Sequence, residues 1–144
     1  MSNVRRQNLM PIDLMALLPV DKTDAAAASK VVAIGFPSVE LVLPRLLEWL
    51  QDMNWPVAQI LQPFLASIGP PLAPHIRAVL ATDDDVWKYW VIQGVVSKST
   101  ELAQVLKPEL ERLAHSPTDG EIEEGVSELS AQVIKKVRGA NADA

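Results

Sequence analysis

Residues 43–56 read Leu-Pro-Arg-Leu-Leu-Glu-Trp-Leu-Gln-Asp-Met-Asn-Trp-Pro. The apolar residues of this stretch continue a pattern that begins just before it, and they recur every three or four positions: Val39, Val42, Leu43, Leu46, Leu47 and Leu50. Residues spaced in this way lie on one face of an α-helix. Ser38 is a candidate N-cap, and Pro44 either kinks this helix or marks its start. The stretch therefore predicts a helix, a turn around Asp52 and a second helix after Pro56.

The pattern that follows Pro44 recurs after Pro74 and Pro108, at intervals of 74 − 44 = 30 and 108 − 74 = 34 residues. Apolar residues occupy the second, fifth and sixth positions after each proline, except that the last of these is an alanine in the third segment: Leu46, Trp49, Leu50; Ile76, Val79, Leu80; Leu110, Leu113, Ala114. Intervals of this length are typical of stacked helical hairpins. The sequence predicts an all-α solenoid of about three hairpins.

The bounds of the remaining helices are predicted from capping residues and from residues that end helices. Asp24 can cap a helix that reaches Ile34 and ends at Gly35, and Thr118 with Glu121 forms a capping box. The predicted helical segments are 12–18, 25–34, 57–68, 72–81, 84–97, 100–114 and 118–138. The first two form an N-terminal helical layer. We expect a flexible N-terminus over residues 1–9, one domain over 10–138 and a flexible tail over 139–144.

The two inner helices of the later hairpins differ in their apolar faces. Segment 86–96 is apolar nearly all round, as a helix contacted on both sides requires. The last helix carries one stripe (Ile122, Val126, Leu129, Val133, Val137) opposite a polar face (Glu123, Glu124, Ser127, Ser130). One-sided amphipathicity is what the terminal unit of a stack needs, because its outer face meets water.

Composition narrows the class of function. The chain has 144 residues, a net charge of −5 and no cysteine, so disulfides and thiolate metal sites are excluded and a cytoplasmic location is expected. Acidic charge argues against a nucleic-acid partner, which needs a clustered basic surface. No apolar run reaches the ~20 residues of a membrane span, and the arginines at 5 and 6 lack a following export signal.

Few residues suggest chemistry. Glu48 and Asp52 share a helix face and could form a paired-acid site, but we expect instead that Asp52 accepts N–H groups at the start of the next helix and that Glu48 is solvated. The acidic run 83–85 could bind a cation, but its position at the start of a helix favours a capping role. His75 and His115 have no metal-ligand spacing. We therefore expect no metal and no cofactor.

Aromatic residues are the most suggestive feature for binding. Trp49, Trp87 and Trp90 fall on apolar stripes, whereas Trp55 lies in a turn, where it either folds back over the hairpin or contacts a partner. We predict that the binding surface combines this turn with the inner face of the stack. Its candidate residues are Trp55, Asn54, Asp52, Gln59, Lys88 and Tyr89.

These patterns resemble HEAT-type repeats, which place a proline early in the first helix, an aspartate eight residues later, and a valine and a basic residue in the second helix. Pro44, Asp52 and Val57 fit that motif, and Pro74 with Lys88 fits in part. The segments LLEWLQDMNWP (46–56), WKYW (87–90) and PTDGE (117–121) resemble a family of small bacterial proteins known only as a domain of unknown function. The resemblance implies helical repeats and no particular activity.

We predict a non-enzymatic protein-interaction module whose partner carries a basic patch. An immunity or antitoxin-like inhibitor is one version of this hypothesis. The alternative is an enzyme acting on nucleic acid or a small molecule. By analogy with HEAT-like DNA glycosylases, it would use Asp52 as an acid beside Trp49 and Trp55.

Overall fold

The computed structural model describes the backbone of residues 11–143 and the side chains of residues 14–139. The N-terminal segment 1–9, predicted to be flexible, lies outside the described residues. Within residues 11–143 the chain forms ten α-helices and no strand, so the all-α prediction is confirmed. Across the same range, no helix has both the length and the apolar character that crossing a bilayer would require.

The helices follow one another with short connections. They are α1 (Pro11–Ala16), α2 (Ala25–Ile34), α3 (Leu43–Glu48), α4 (Pro56–Ile68), α5 (Ala73–Leu80), α6 (Asp85–Gly94), α7 (Thr100–Val105), α8 (Lys107–His115), α9 (Asp119–Glu123) and α10 (Val126–Asp143). Four short 3-10 segments join them: Glu40–Val42, Trp49–Gln51, Pro70–Leu72 and Val96–Lys98. Pro44, Pro74 and Pro108 each occupy the second position of a helix, as their recurrence predicts.

Several predicted helices are shorter than the sequence suggested. The stretch 39–51 is a 3-10 segment, α3 and a second 3-10 segment, and Ser38 does not cap any of them. Segment 100–114 divides into α7 and α8 because Pro108 has no N–H and its ring crowds the carbonyl four residues earlier. Segment 118–138 divides into α9 and α10 at Gly125, whose φ of 80° no helix accommodates.

The last helix also differs from its prediction. Helix α10 runs to Asp143, whereas the sequence placed the end of this helix at Arg138. Ile122 was expected in the apolar stripe but is exposed, and Ser130 was expected on the polar face but is fully buried. The break at Gly125 explains Ile122, because a stripe does not keep its register across two separate helices.

The caps that the sequence identified at Asp24, Gly35 and Thr118 are confirmed. The Asp24 carboxylate accepts the N–H of Ala27 at the start of α2, and Gly35 closes that helix with an N–H bond to the Val31 carbonyl. Thr118 and Glu121 form both hydrogen bonds of the capping box at α9. Each cap satisfies backbone groups that the helix itself leaves without partners.

A single hydrophobic core runs through the described part of the chain, from Leu14 to Val137. Helix α2 packs on α4, α4 and α5 pack on α6, and α10 packs on α6, α7, α8 and α9. Polar contacts add to this packing: the indole Nε1 of Trp87 donates to the Leu47 carbonyl at 2.9 Å, and Gln62 Nε2 donates to the Gly94 carbonyl at 2.5 Å. Helix α6 is therefore held against the first hairpin at both ends.

Candidate functional site

The turn before α4 places two tryptophans together at the surface. Trp49 and Trp55 are both half-buried, and their rings meet edge to face with centroids 6.1 Å apart and planes at 74°. Such pairs are stabilised by the ring quadrupoles beyond the area they bury. Trp55 therefore folds partly back onto the hairpin while one part of its ring stays accessible.

These rings line an open pocket of about 280 Å³, here called the tryptophan pocket. Leu18 and Pro19, from the segment after α1, form a second part of its wall, and the exposed residues Arg45, Glu48 and Gln51, which also line it, are here called its rim. The rim charges form a loose ion pair, with Arg45 Nη1 and Glu48 Oε1 3.9 Å apart and both side chains about half exposed (56% and 48%). Such a pair contributes little to stability, so both groups remain available to a ligand.

The N-terminal segment is fixed against the tryptophan pocket by the backbone. The N–H of Val57, in the first turn of α4, donates to the Lys22 carbonyl at 3.1 Å. That bond satisfies one of the free N–H groups that every helix start leaves. The wall formed by Leu18 and Pro19 is thereby tied to the helix that Trp55 precedes.

The predicted turn residues have different positions. Asp52 Oδ1 accepts the N–H of Asn54 at 2.9 Å, which closes a tight turn; it does not cap α4, whose N-cap is Trp55. Asp52 is also not among the residues that line the tryptophan pocket. Asn54 is exposed in the turn, and Gln59 is exposed on the first turns of α4. The structure thus brings Trp55 to a concave surface and leaves Asp52 beside it.

Lys88 was predicted to lie on the accessible inner surface of the stack, and this prediction is wrong because the side chain is not exposed. The side chain is buried, because its Nζ donates to Asp85 Oδ1 and to Glu121 Oε2, both at 2.9 Å. Glu121 also accepts two hydrogen bonds from Arg112, at 2.7 and 2.8 Å, and one from the Thr118 N–H at 2.8 Å. We call Asp85, Lys88, Arg112 and Glu121 the ion cluster.

The ion cluster contains two cations and two anions. Hydrogen bonds from Arg112, and smaller ones from Lys88 and Thr118, outweigh burial and lower the pKa of Glu121 to about 2. Burial opposes the charge of Lys88, but its bonds to Glu121 and Asp85 together exceed that effect and raise its pKa. The ion cluster therefore joins α6, α8 and α9 through charge-assisted hydrogen bonds.

Tyr89 lies one residue further along α6 and faces α10. It is half-buried, meets Trp90 edge to face with centroids 5.3 Å apart, and lines a surface groove with Glu124, Glu128 and Leu129. Trp55 and Tyr89 therefore belong to two different concavities. Within the described residues, no group of three or more acidic or histidine side chains is arranged to hold a metal ion.

Comparison with known proteins gives one result about family membership. No curated protein is similar in sequence to this chain. The family model described as "Domain of unknown function (DUF5071)" matches residues 17–134, which include both walls of the tryptophan pocket, the ion cluster and Tyr89. The chain therefore belongs to the DUF5071 family.

Proposed function

We propose that this protein is a non-enzymatic protein-interaction module that binds an apolar side chain of its partner in the tryptophan pocket. The observation that carries the proposal is the pair of half-buried rings, Trp49 and Trp55, on the wall of an open concavity of about 280 Å³. Rigid aromatic side chains at the edge of a pocket are typical anchors of protein interfaces. The volume lies just below the ~300–1,000 Å³ typical of small-molecule sites, and it suits one large side chain.

The rim of the tryptophan pocket suits a peptide backbone. Glu48 can accept a peptide N–H and Arg45 can donate to a peptide carbonyl, and both groups are about half exposed. A peptide offers one donor and one acceptor at this spacing, whereas a charged ligand would meet one rim group of its own sign. The rim therefore favours a polypeptide segment over an ionic metabolite.

The scaffold in this proposal is a HEAT-like stack of three hairpins, α3/α4, α5/α6 and α8/α10, preceded by the layer α1 and α2. The first helices are joined by packing of α3 on α5 and by an ion pair between Arg77 Nε and Glu109 Oε1 at 3.4 Å. The second helices pack in the order α4, α6, α10. Matched first and second layers of this kind support a repeat stack, which commonly serves as a binding scaffold.

The partner in this proposal presents basic groups near its apolar anchor. A net charge of −5 would steer such a surface toward this one and raise the association rate. An inhibitor of the immunity or antitoxin type is the finer version of the same proposal. The alternative enzyme at Asp52 has less support, because the Asp52 carboxylate closes a turn and does not line the tryptophan pocket.

Trp55→Ala tests the proposal, with Trp90→Ala as the matched control. Both tryptophans are half-buried and edge-to-face, so each variant should lose about 2 kcal/mol of unfolding free energy. Only Trp55→Ala should weaken binding, by at least tenfold in Kd measured by calorimetry with a purified partner. The partner is first captured from source cells with the wild-type chain and both variants in parallel. Capture by Trp55→Ala at wild-type strength would refute the pocket as the contact surface.

The enzymatic alternative predicts a different experimental result. DNA binding at low salt that falls steeply as salt rises, together with its loss in Asp52→Asn, would favour that alternative. We expect neither, because the chain carries a net charge of −5 and the Asp52 carboxylate closes the turn.

A further inference from the structure

A second concavity, independent of the tryptophan pocket, runs between α6 and α10. Two adjoining cavities of about 360 and 330 Å³ share Tyr89, Leu129 and Gln132 and together form one continuous depression, here called the α6–α10 groove. The helices run in the same direction along it, because Tyr89 lies beside Gly125 while Lys136 Nζ donates to the Ser97 carbonyl at 2.9 Å. The α6–α10 groove therefore has two distinct ends.

The two ends carry opposite charge. The first is lined by Glu123, Glu124 and Glu128, and none of their carboxylates has a hydrogen bond or ion pair with any residue that the structure describes. The second is lined by Lys98 and Lys136. Lys136 uses one of its three donors on Ser97, which leaves two for a ligand.

The spacing of these charges can be read from α10. Glu128, Gln132 and Lys136 are four residues apart and follow one face of the helix. At 1.5 Å per residue, Glu128 and Lys136 are about 12 Å apart along the axis. An extended peptide advances about 3.3 Å per residue, so about four residues span the same distance.

We infer that the α6–α10 groove binds an extended peptide segment in which a basic and an acidic side chain are separated by three residues, with an apolar side chain between them. The basic side chain pairs with Glu124 and Glu128, and the acidic one pairs with Lys98 and Lys136. The apolar side chain packs on Tyr89 and Leu129. A polyamine or a polyphosphate would be repelled at one end, because the α6–α10 groove carries both signs.

Two synthetic peptides test this inference by nuclear magnetic resonance on the isotope-labelled full chain. Both are acetylated decapeptides of the same composition. One carries the core Lys-Ser-Leu-Ser-Glu, and its isomer carries Lys and Glu adjacent with Leu outside them. We expect the first to shift the amides of Tyr89, Gln93 and Gln132 and to bind at least threefold more tightly than its isomer. The indole signals of Trp49 and Trp55 should not move.

Variants separate this groove from the tryptophan pocket. Glu128→Gln should weaken binding of the first peptide at least threefold, while Glu40→Gln, an exposed glutamate on the first hairpin, should leave it unchanged. Trp55→Ala should also leave it unchanged, so loss of the proposed function at the tryptophan pocket would not affect this result.

Three outcomes would overturn the inference. The first is equal affinity for the two isomers, and the second is the absence of any shift at millimolar peptide. The third is a concentration-dependent shift of the same amides without peptide, which would mean that a second copy of the chain occupies the α6–α10 groove.

Discussion

Glu121 is a buried acid that holds neighbouring helices together through its hydrogen bonds. Its carboxylate has no exposed surface and accepts hydrogen bonds from Arg112, Lys88 and Thr118. Removing its charge would leave the buried ammonium of Lys88 with only Asp85 as counter-ion. We expect Glu121→Gln to lower the unfolding free energy by about 3 kcal/mol, because an uncompensated buried charge is costly.

Urea denaturation at pH 7 measures this loss. The exposed neighbour Glu123→Gln serves as the control and should change stability by less than about 0.5 kcal/mol. Equal effects of the two substitutions would show that the ion cluster contributes nothing beyond ordinary surface charge.

Acid should remove the same contribution. The folded pKa of Glu121, about 2, lies below the ordinary 4.5, so the folded state binds fewer protons than the unfolded state. Its contribution is fully present above pH 4.5 and is lost as the pH falls toward 2. We expect the stability difference between wild type and Glu121→Gln to shrink across this window. A difference that stays constant down to pH 2 would contradict the assignment.

Ser130, unlike Glu121, is a buried polar residue whose side chain has no hydrogen-bond partner among the described residues. Its hydroxyl is fully buried in α10 and finds no hydrogen-bond partner among the described residues. Ser130→Ala removes that unsatisfied group and gains helix propensity, so thermal and urea unfolding should show a rise of about 1 kcal/mol. Ser127→Ala, on the same helix, removes a hydroxyl that bonds the Ala114 carbonyl at 3.4 Å and should not stabilise. A loss of stability in Ser130→Ala would mean that the hydroxyl has a partner after all.

Residue types predicted the tryptophan pair better than the ion cluster. Trp55 stood out because a turn tryptophan has no helical face to explain it, and the structure places it on a concave wall. Lys88 was misplaced because it was assigned to the inner binding surface of the stack, whereas its side chain is buried. The signal was present in the sequence: a lone lysine inside 86–92, Val-Trp-Lys-Tyr-Trp-Val-Ile, needs a buried acid, and Glu121 had been assigned only to a cap. Asp85 is a local partner on the same helix, but the pairing of Lys88 with Glu121 depends on how α8 and α9 pack, and no local pattern encodes that.

At the scale of elements, side chains of the first hairpin pack closely on Gly94 of α6. A Cβ at Gly94 would lie 2.9 Å from both Gln62 Cγ and Met53 Cε, so these two side chains would have to shift to make room for it. Gly94→Ala should therefore cost about 1–3 kcal/mol through overpacking, despite the better helix propensity of alanine. The control is Gly139→Ala in α10, where a Cβ meets nothing within 4 Å. Thermal unfolding measures both variants, and Gly139→Ala should raise the unfolding free energy by up to about 1 kcal/mol.

The helices themselves were largely predictable, and their breaks were not. Periodicity located the helical segments, because apolar faces and prolines at the second position leave a local signature. The divisions at Leu106 and Gly125 depend on a proline ring and a positive φ that the apolar pattern ignores. The contact between Lys22 and Val57 was also missed, since any residue can supply a backbone carbonyl.

At the scale of the molecule, the question is whether the hairpins unfold together. The buried residues form one cluster from Leu14 to Val137, and α10 packs on four other helices. We therefore expect a single cooperative unit, although stacked repeats can also open one at a time. Val133→Ala, a truncation at a buried position of α10, should lower the global unfolding free energy by about 2 kcal/mol.

Native-state hydrogen exchange distinguishes the two behaviours. In a cooperative molecule, the slowest amides of α4 exchange only through global unfolding. Val133→Ala, although it lies in α10, should then speed their exchange by the factor that corresponds to its loss of global unfolding free energy. Ile122→Ala is the control, because that side chain is exposed and should change neither helix. Protection that falls in α8 and α10 while α4 keeps its wild-type rates would mean that the first hairpin folds independently. The tryptophan pocket would then survive damage to the α6–α10 groove.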